Sequence, residues 1–220
     1  MPVIPLFPLG TVLFPGLALP LHIFEPRYRR LVADLREGED DEARSFGIVA
    51  IRAGHEVGSG SVSALHEVGT TAVLRRVTPY PDGRFDVLTS GARRFRLHRV
   101  DDTLPYLRAE VEWLDEQLGP PGTATALAAA VGQQFLAYQR LLGADPDETG
   151  TLPDDPTVLS YLVSAAMVLD ATDAQRLLAF STTARRLDWL LRVLAREQGL
   201  LRTLDALPAT DLLRGPVSLN

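Results

Sequence analysis

LRAEVEWLDEQLGPPGTATALAAAVGQQ, residues 107–134, contains a change of period that divides the chain. Leu107, Ala109, Val111 and Trp113 alternate with Arg108, Glu110 and Glu112, the pattern of a strand with one buried and one wet face. Gly119-Pro120-Pro121-Gly122 interrupts it, and from Thr123 the apolar residues recur at helical spacing. The boundary predicts an α+β protein: a strand-rich subdomain over 1–117, a helical bundle over 123–205 and a tail over 206–220.

Upstream of that boundary, Ala72–Tyr80 and Arg84–Thr89 flank Pro81-Asp82-Gly83, a hairpin signal in which glycine supplies the positive φ of the reversal. Phe46–Ile51 reads as a buried strand, and the acidic run Glu37–Glu42 before it as a solvated loop. One helix is expected here, with Pro26 in its first turn and Tyr28, Leu31, Val32 and Leu35 on one face. The apolar N-terminus divides into Val3–Phe7, Thr11–Phe14 and Leu17–Phe24, read as strands and turns. It lacks the basic start of a signal peptide, and Pro2, Pro5, Pro8, Pro15 and Pro20 would break a spanning helix. Many short strands around one helix predict a small closed or nearly closed barrel.

Downstream, Thr123–Leu142 is expected to be a helix ended by Gly143, with a proline-rich acidic loop after it. Asp155-Pro156 caps and opens a second helix bearing Leu159, Leu162, Val163 and Ala166. Thr172-Asp173-Ala174-Gln175 reads as a capping box opening a third. Thr183 to about Gly199 forms the fourth, with Leu187, Leu190, Leu191 and Leu194 as its stripe.

Composition excludes chemistry more than it suggests any. The chain has no cysteine, hence no disulfide, thiolate nucleophile or thiolate-bound zinc, which fits a cytoplasmic location. All 22 basic residues are arginine, so no lysine amine can act as a base or Schiff-base former, and no phosphate loop of the usual kind exists. His-Glu-Val-Gly occurs at His55–Gly58 and His66–Gly69, but Ser59 and Thr70 stand where a zinc helix needs its second histidine. Gly58-Ser59-Gly60-Ser61 is not a nucleophile elbow, and reads as loop. No catalytic residue, metal site or cofactor is expected.

One charged feature stands out in a protein of net charge −6. Residues 70–100 hold seven arginines (75, 76, 84, 93, 94, 96 and 99) against Asp82 and Asp86. Arg93, Arg94, Arg96 and Arg99 could grip RNA phosphates, or the patch could pair with Asp101, Asp102, Glu110, Glu112, Asp115 and Glu116 on a neighbouring strand; the second reading is preferred.

Three N-terminal runs carry a resemblance: Ile4-Pro5-Leu6-Phe7-Pro8-Leu9-Gly10, Leu13-Phe14-Pro15-Gly16 and Leu19-Pro20-Leu21-His22-Ile23-Phe24-Glu25-Pro26-Arg27-Tyr28. With Phe46-Gly47-Ile48-Val49, His66–Thr70, Asp82-Gly83-Arg84, Gly91–Arg96 and Pro105-Tyr106 in the same order, the chain resembles the N-terminal domain of Lon proteases. The resemblance implies a PUA-like barrel followed by a C-terminal α-helical bundle, and a role in recognising unfolded or tagged polypeptides. Because the chain ends at Asn220, it also implies a stand-alone binding module without ATPase or protease machinery, one that binds unfolded polypeptides or a partner protein, as a proteolysis adaptor would. Leu6, Phe7, Phe14, Leu17 and Phe24, large apolar groups among rigid prolines, are the candidate polypeptide site, unless they fill the barrel. The alternative ligand is RNA, since PUA-like barrels also occur in RNA-modifying proteins.

Overall fold

The computed structural model describes residues 1–52, 65–144 and 150–204. The expected tail over 206–220, His55–Gly58 and the Gly58–Ser61 loop lie outside the described residues. The elements run β1 (Val3–Leu9), β2 (Ala18–Ile23), α1 (Pro26–Arg36), β3 (Ser45–Ala50), β4 (Val68–Pro79), β5 (Phe85–Asp101) and β6 (Arg108–Trp113). They continue with α2 (Thr123–Leu141), α3 (Pro156–Ala166), α4 (Ala171–Ala179) and α5 (Thr183–Leu204). The protein is therefore α+β, with six strands and five helices among the described residues. The chain forms two compact units: residues 1–115 with 169–179, and residues 116–168 with the described chain from 180.

In the strand-rich unit the sheet order is β2-β5-β4-β3-β1-β6, and an additional β5–β6 pairing closes five of the strands into a barrel. Closure is possible because β5 is long enough to serve two partners. Its first half pairs with β2 (Phe85↔Ile23 to Ser90↔Ala18) and its second half with β6 (Phe95↔Trp113 to Asp101↔Arg108). β1 also divides its partners, antiparallel to β6 at Val3–Pro5 and parallel to β3 at Leu6–Leu9. The expected strand over Thr11–Phe14 does not form. Those residues run as irregular chain into the turn at Pro15-Gly16, with Leu13 and Phe14 buried.

Alternation divides the core in two. Ile4, Leu6, Val49, Phe95, Ala109 and Val111 fill the barrel, whereas Phe7, Phe46, Ile48 and Leu74 face the other way against Tyr28, Leu31, Val32 and Leu35 of α1. Phe7 stacks on Tyr28 with ring centroids 3.9 Å apart. The barrel interior is tight where Phe95 lies: a Cβ on Gly47 or Gly69 would run into its ring. Glycine is needed at both places to admit a phenylalanine. In the β4–β5 turn, Gly83 takes φ +83°, as the hairpin signal requires.

α4 belongs to this unit. Its cap is not Thr172, as a capping box would have it, but Asp170, whose carboxylate accepts from the Asp173 N–H at 2.7 Å. Gln175, expected to reach back to the cap, instead donates to the Val68 carbonyl at 2.9 Å. Arg94, 2% exposed, donates to the Leu178 carbonyl at 2.9 Å.

In the helical unit, Asp155 caps α3 through the N–H groups of Thr157 (2.8 Å) and Val158 (2.9 Å). Leu159 and Val163 of the expected α3 stripe are buried, but Leu162 is half-buried and Ala166 exposed, and the buried face extends instead over Ser160, Tyr161 and Ser164. The reason is Arg186 of α5, fully buried, which lies 3.9 Å from the Tyr161 ring centroid and donates to Ser160 Oγ at 3.0 Å. Ser160 accepts from one end of its guanidinium, and the Glu116 carboxylate lies 3.6 Å from the other. Of the expected stripe of α5, Leu187, Leu190 and Leu194 are buried and Leu191 is half-buried.

Candidate functional site

β2 follows the alternation of its sequence. Leu19 and Leu21 pack on the α1-side core and Ile23 is buried in it, so Ala18, Pro20 and His22 are exposed on the opposite face. At Phe24 the chain turns into α1, and the ring is left 45% exposed. The sheet register then sets its surroundings. His22 lies opposite Asp86 on β5, and Tyr80 stands where β4 enters the hairpin turn.

That turn is held by its own hydrogen bonds: Tyr80 N–H to the Arg84 carbonyl (2.9 Å), Gly83 N–H to the Tyr80 carbonyl (3.0 Å), and the Arg84 guanidinium to Asp82 (2.7 Å). Tyr80 is exposed, and its ring centroid lies 6.0 Å from that of His22, which lies 6.2 Å from that of Phe24. Three aromatic rings thus form a ledge along the end of β2.

The ledge is fixed by a polar network. Asp86 accepts from Tyr80 Oη at 2.5 Å and from His22 Nδ1 at 2.7 Å, and Arg84 donates to His22 Nε2 at 3.3 Å. The bonds from Tyr80 and His22 hold the Asp86 carboxyl below its ordinary range. The same contact with Asp86 pushes the Tyr80 phenol up, so the hydroxyl stays protonated at neutral pH. His22–Asp86 has the look of half a nucleophile-activating triad, but the nitrogen that would take a proton already accepts from Arg84. The arrangement offers apolar ring surface on a fixed polar frame, which suits binding rather than turnover.

Of the residues singled out from sequence, Leu6, Phe7 and Phe14 do not contribute to this surface. They are 0%, 6% and 4% exposed, and fill the core because burying such side chains is worth roughly 1.5 to 3 kcal/mol each. Leu17 is half-buried against the α1-side core, and Phe24 alone is well exposed. His22 and Tyr80 were not among the candidates. The alternation Ala18-Leu19-Pro20-Leu21-His22-Ile23 carries the signal for the first, and the position beside a hairpin turn the signal for the second.

The arginines follow the preferred reading of the sequence. Register puts Arg96 opposite Glu112 and Arg99 opposite Glu110, with ion pairs of 3.3 and 3.9 Å. Arg93 pairs with Asp115 at 3.0 Å and lies over the Trp113 ring, and Arg75 pairs with Asp41 at 2.8 Å. Arg94 is interior. Among the described residues no cluster of three or more histidine, aspartate or glutamate side chains could hold a metal ion, and no helix is long and apolar enough to cross a membrane.

Comparison with known proteins matches the sequence and fold of the chain to one family. Residues 3–196 match the family model of the ATP-dependent protease La (LON) substrate-binding domain. The chain is 28% identical over 203 residues to the Lon protease of Escherichia coli strain K12, covering 90% of this chain and 25% of that protein. It is 25% identical over 206 residues to the Lon protease of Cytophaga hutchinsonii, covering 89% and 24%. It thus spans about a quarter of the length of these relatives. A Lon N-terminal domain protein from Xanthomonas campestris superposes with a TM-score of 0.62 at 25% identity, covering 87% of this chain and 98% of that one. The N-terminal domain of a Mycobacterium avium complex Lon protease superposes with a TM-score of 0.65 at 16% identity, a likeness of fold, covering 88% and 98%.

Proposed function

Because the chain belongs to the ATP-dependent protease La (LON) substrate-binding domain family, we propose that it binds unfolded polypeptide segments through the Phe24–His22–Tyr80 ledge and performs no catalysis itself. The observation that carries this reading is the exposure of Phe24 beside two further rings, on a unit that buries Leu6, Phe7 and Phe14. A preorganised apolar surface loses little entropy on binding and accepts many sequences, as a receptor for non-native chains must. In the cytoplasm such a module would act as an adaptor that collects substrates for a protease, a role supported by the kinship with Lon proteases.

RNA is the less favoured ligand, since the arginines that would grip phosphates already face carboxylates. The two ligands respond differently to salt. Reduced, carboxymethylated lactalbumin, a permanently unfolded protein, should bind with little change between about 50 and 200 mM salt, and Phe24→Ala should weaken it about 5- to 30-fold. Single-stranded RNA should bind weakly and lose affinity steeply over that range. Tight RNA binding that Arg96→Ala with Arg99→Ala removes, with no binding of lactalbumin, would refute the proposal.

A further inference from the structure

Among the described residues β2 has a single strand partner, β5, and the phase of that pairing is set by the bond from the Gly91 N–H to the Leu17 carbonyl at 2.8 Å. Residues 17, 19, 21 and 23 therefore turn their backbone groups toward β5, and 18, 20 and 22 turn theirs away. Pro20, which has no N–H to give, stands at an outward position, where it costs the ladder nothing. Ala18, Pro20 and His22 are all exposed, and among the described residues no backbone hydrogen bond reaches their outward groups.

We infer that the outward edge of β2 takes up an extended stretch of non-native polypeptide as an added strand, running on into the aromatic ledge at Phe24 and Tyr80. The inference rests on the polypeptide-binding reading above and specifies its mode. What the edge presents is an N–H and a C=O from Ala18, a C=O from Pro20, and an N–H and a C=O from His22, at strand spacing. Only another extended backbone offers the complementary series. Backbone recognition gives affinity without regard to sequence, and the rings at the end of the edge add a preference for an apolar side chain.

Pro20 also decides between occupants. A second copy pairing β2 to β2 would bring a proline without a donor from each side, whereas an unfolded segment meets only one gap and can shift to place it harmlessly. The edge is guarded against its own kind more strongly than against a passing chain.

The test uses the full chain and two probes: carboxymethylated lactalbumin, and a ten-residue peptide of alternating valine and threonine with one central phenylalanine. The peptide is made also as two isomers, N-methylated on one or the other set of alternate amides. One isomer should bind at least about tenfold more weakly than the parent and the other about equally, because only one set faces the edge. In hydrogen exchange the Ala18 and His22 amides, open in the free protein, should slow about tenfold or more when lactalbumin is bound, while Leu19 and Leu21 change little. Ala18→Pro, which removes an outward donor the native ladder does not use, should weaken lactalbumin about fivefold. If both isomers bind like the parent and the two amides stay open, yet Phe24→Ala still weakens lactalbumin, strand addition is wrong and the ledge reading survives. If the wild-type protein binds neither probe, both fall.

Discussion

The fit of Phe95 between two glycines can be tested by a cycle of substitutions whose members differ in what must move. An alanine Cβ at position 47 would lie 2.9 Å from Ile4 Cδ1, 2.9 Å from Phe95 Cζ and 3.0 Å from Phe95 Cε1, all of them side-chain ends. At position 69 it would lie 2.5 Å from Phe95 Cζ, but closer still to the backbone carbonyl oxygen of Ile48. Ile48 is held in register opposite Thr70, so that oxygen cannot retreat without disturbing the β3–β4 ladder.

Over-packing a full core costs roughly 1 to 3 kcal/mol, and both Gly47→Ala and Gly69→Ala should fall in that range, the second at its upper end. Phe95→Leu alone should cost roughly 1 to 2 kcal/mol for the space it leaves. In the Phe95→Leu background Gly47→Ala should become nearly neutral, a coupling of roughly 1 to 2 kcal/mol, because the ring it struck has gone and the Ile4 methyl can rotate. Gly69→Ala should keep most of its cost there. Urea unfolding followed by Trp113 emission, in a Trp189→Phe background so that the signal reports the strand-rich unit, measures all five variants. Additive costs for Gly47→Ala and Phe95→Leu, or complete rescue of Gly69→Ala, would show that the glycines are not there for Phe95.

Three further outcomes are expected. Arg94→Ala should destabilise the strand-rich unit by roughly 2 kcal/mol or more, since it strands the Leu178 carbonyl, whereas Arg96→Ala, at an exposed pair, should stay within about 0.5 kcal/mol; equal effects in urea melts would refute the distinction. Asp155→Ala should cost about 1 kcal/mol by loss of the α3 cap, with Asp155→Asn recovering much of it in the same melts. Burial is the main cause that pushes the Tyr28 phenol up to about 12, with Glu25 adding to it and Arg27 opposing. Its contribution is complete below the ordinary value near 10 and is lost as pH rises from 10 to 12, so Tyr28→Phe should melt with a shallower alkaline decline than the wild type.

What the sequence revealed and what it hid follow from the range of the forces involved. α1 was legible to the residue, because Tyr28, Leu31, Val32 and Leu35 are set by local period and its start by Pro26. The hairpin was legible because Pro81-Asp82-Gly83 encodes its own geometry. The full reach of β5 to Asp101 was not, since Arg93, Arg94, Arg96 and Arg99 break alternation where the strand changes partners at the barrel seam. The face of α3 was read only in part: Leu159 and Val163 are buried as their spacing implies, but a charge buried from another helix, Arg186, draws Ser160 and Tyr161 inward in place of Leu162 and Ala166. Within the candidate site only Phe24 was visible in advance. Apolar character alone does not separate Phe7, which stacks inside on Tyr28, from Phe24, which the entry into α1 turns outward.

The same distinction between order along the chain and order in space governs the charges. Along the sequence, residues 70–100 look like a cationic strip. Folding places β6 beside β5, so that Asp115, Glu112, Glu110 and Asp101 stand against Arg93, Arg96, Arg99 and Arg108 as opposite charges across one ladder, and Arg94 leaves the surface altogether. Each exposed pair is worth at most about 1 kcal/mol, too little to hold the barrel together, but together the pairs leave almost no net field for a polyanion to follow. A phosphate backbone arriving there would have to displace carboxylates that remain tethered beside it. On the proposed reading, an unfolded chain arriving at Phe24, His22 and Tyr80 would displace water rather than tethered carboxylates, and this difference is what favours the ledge over the arginine ladder as its binding surface.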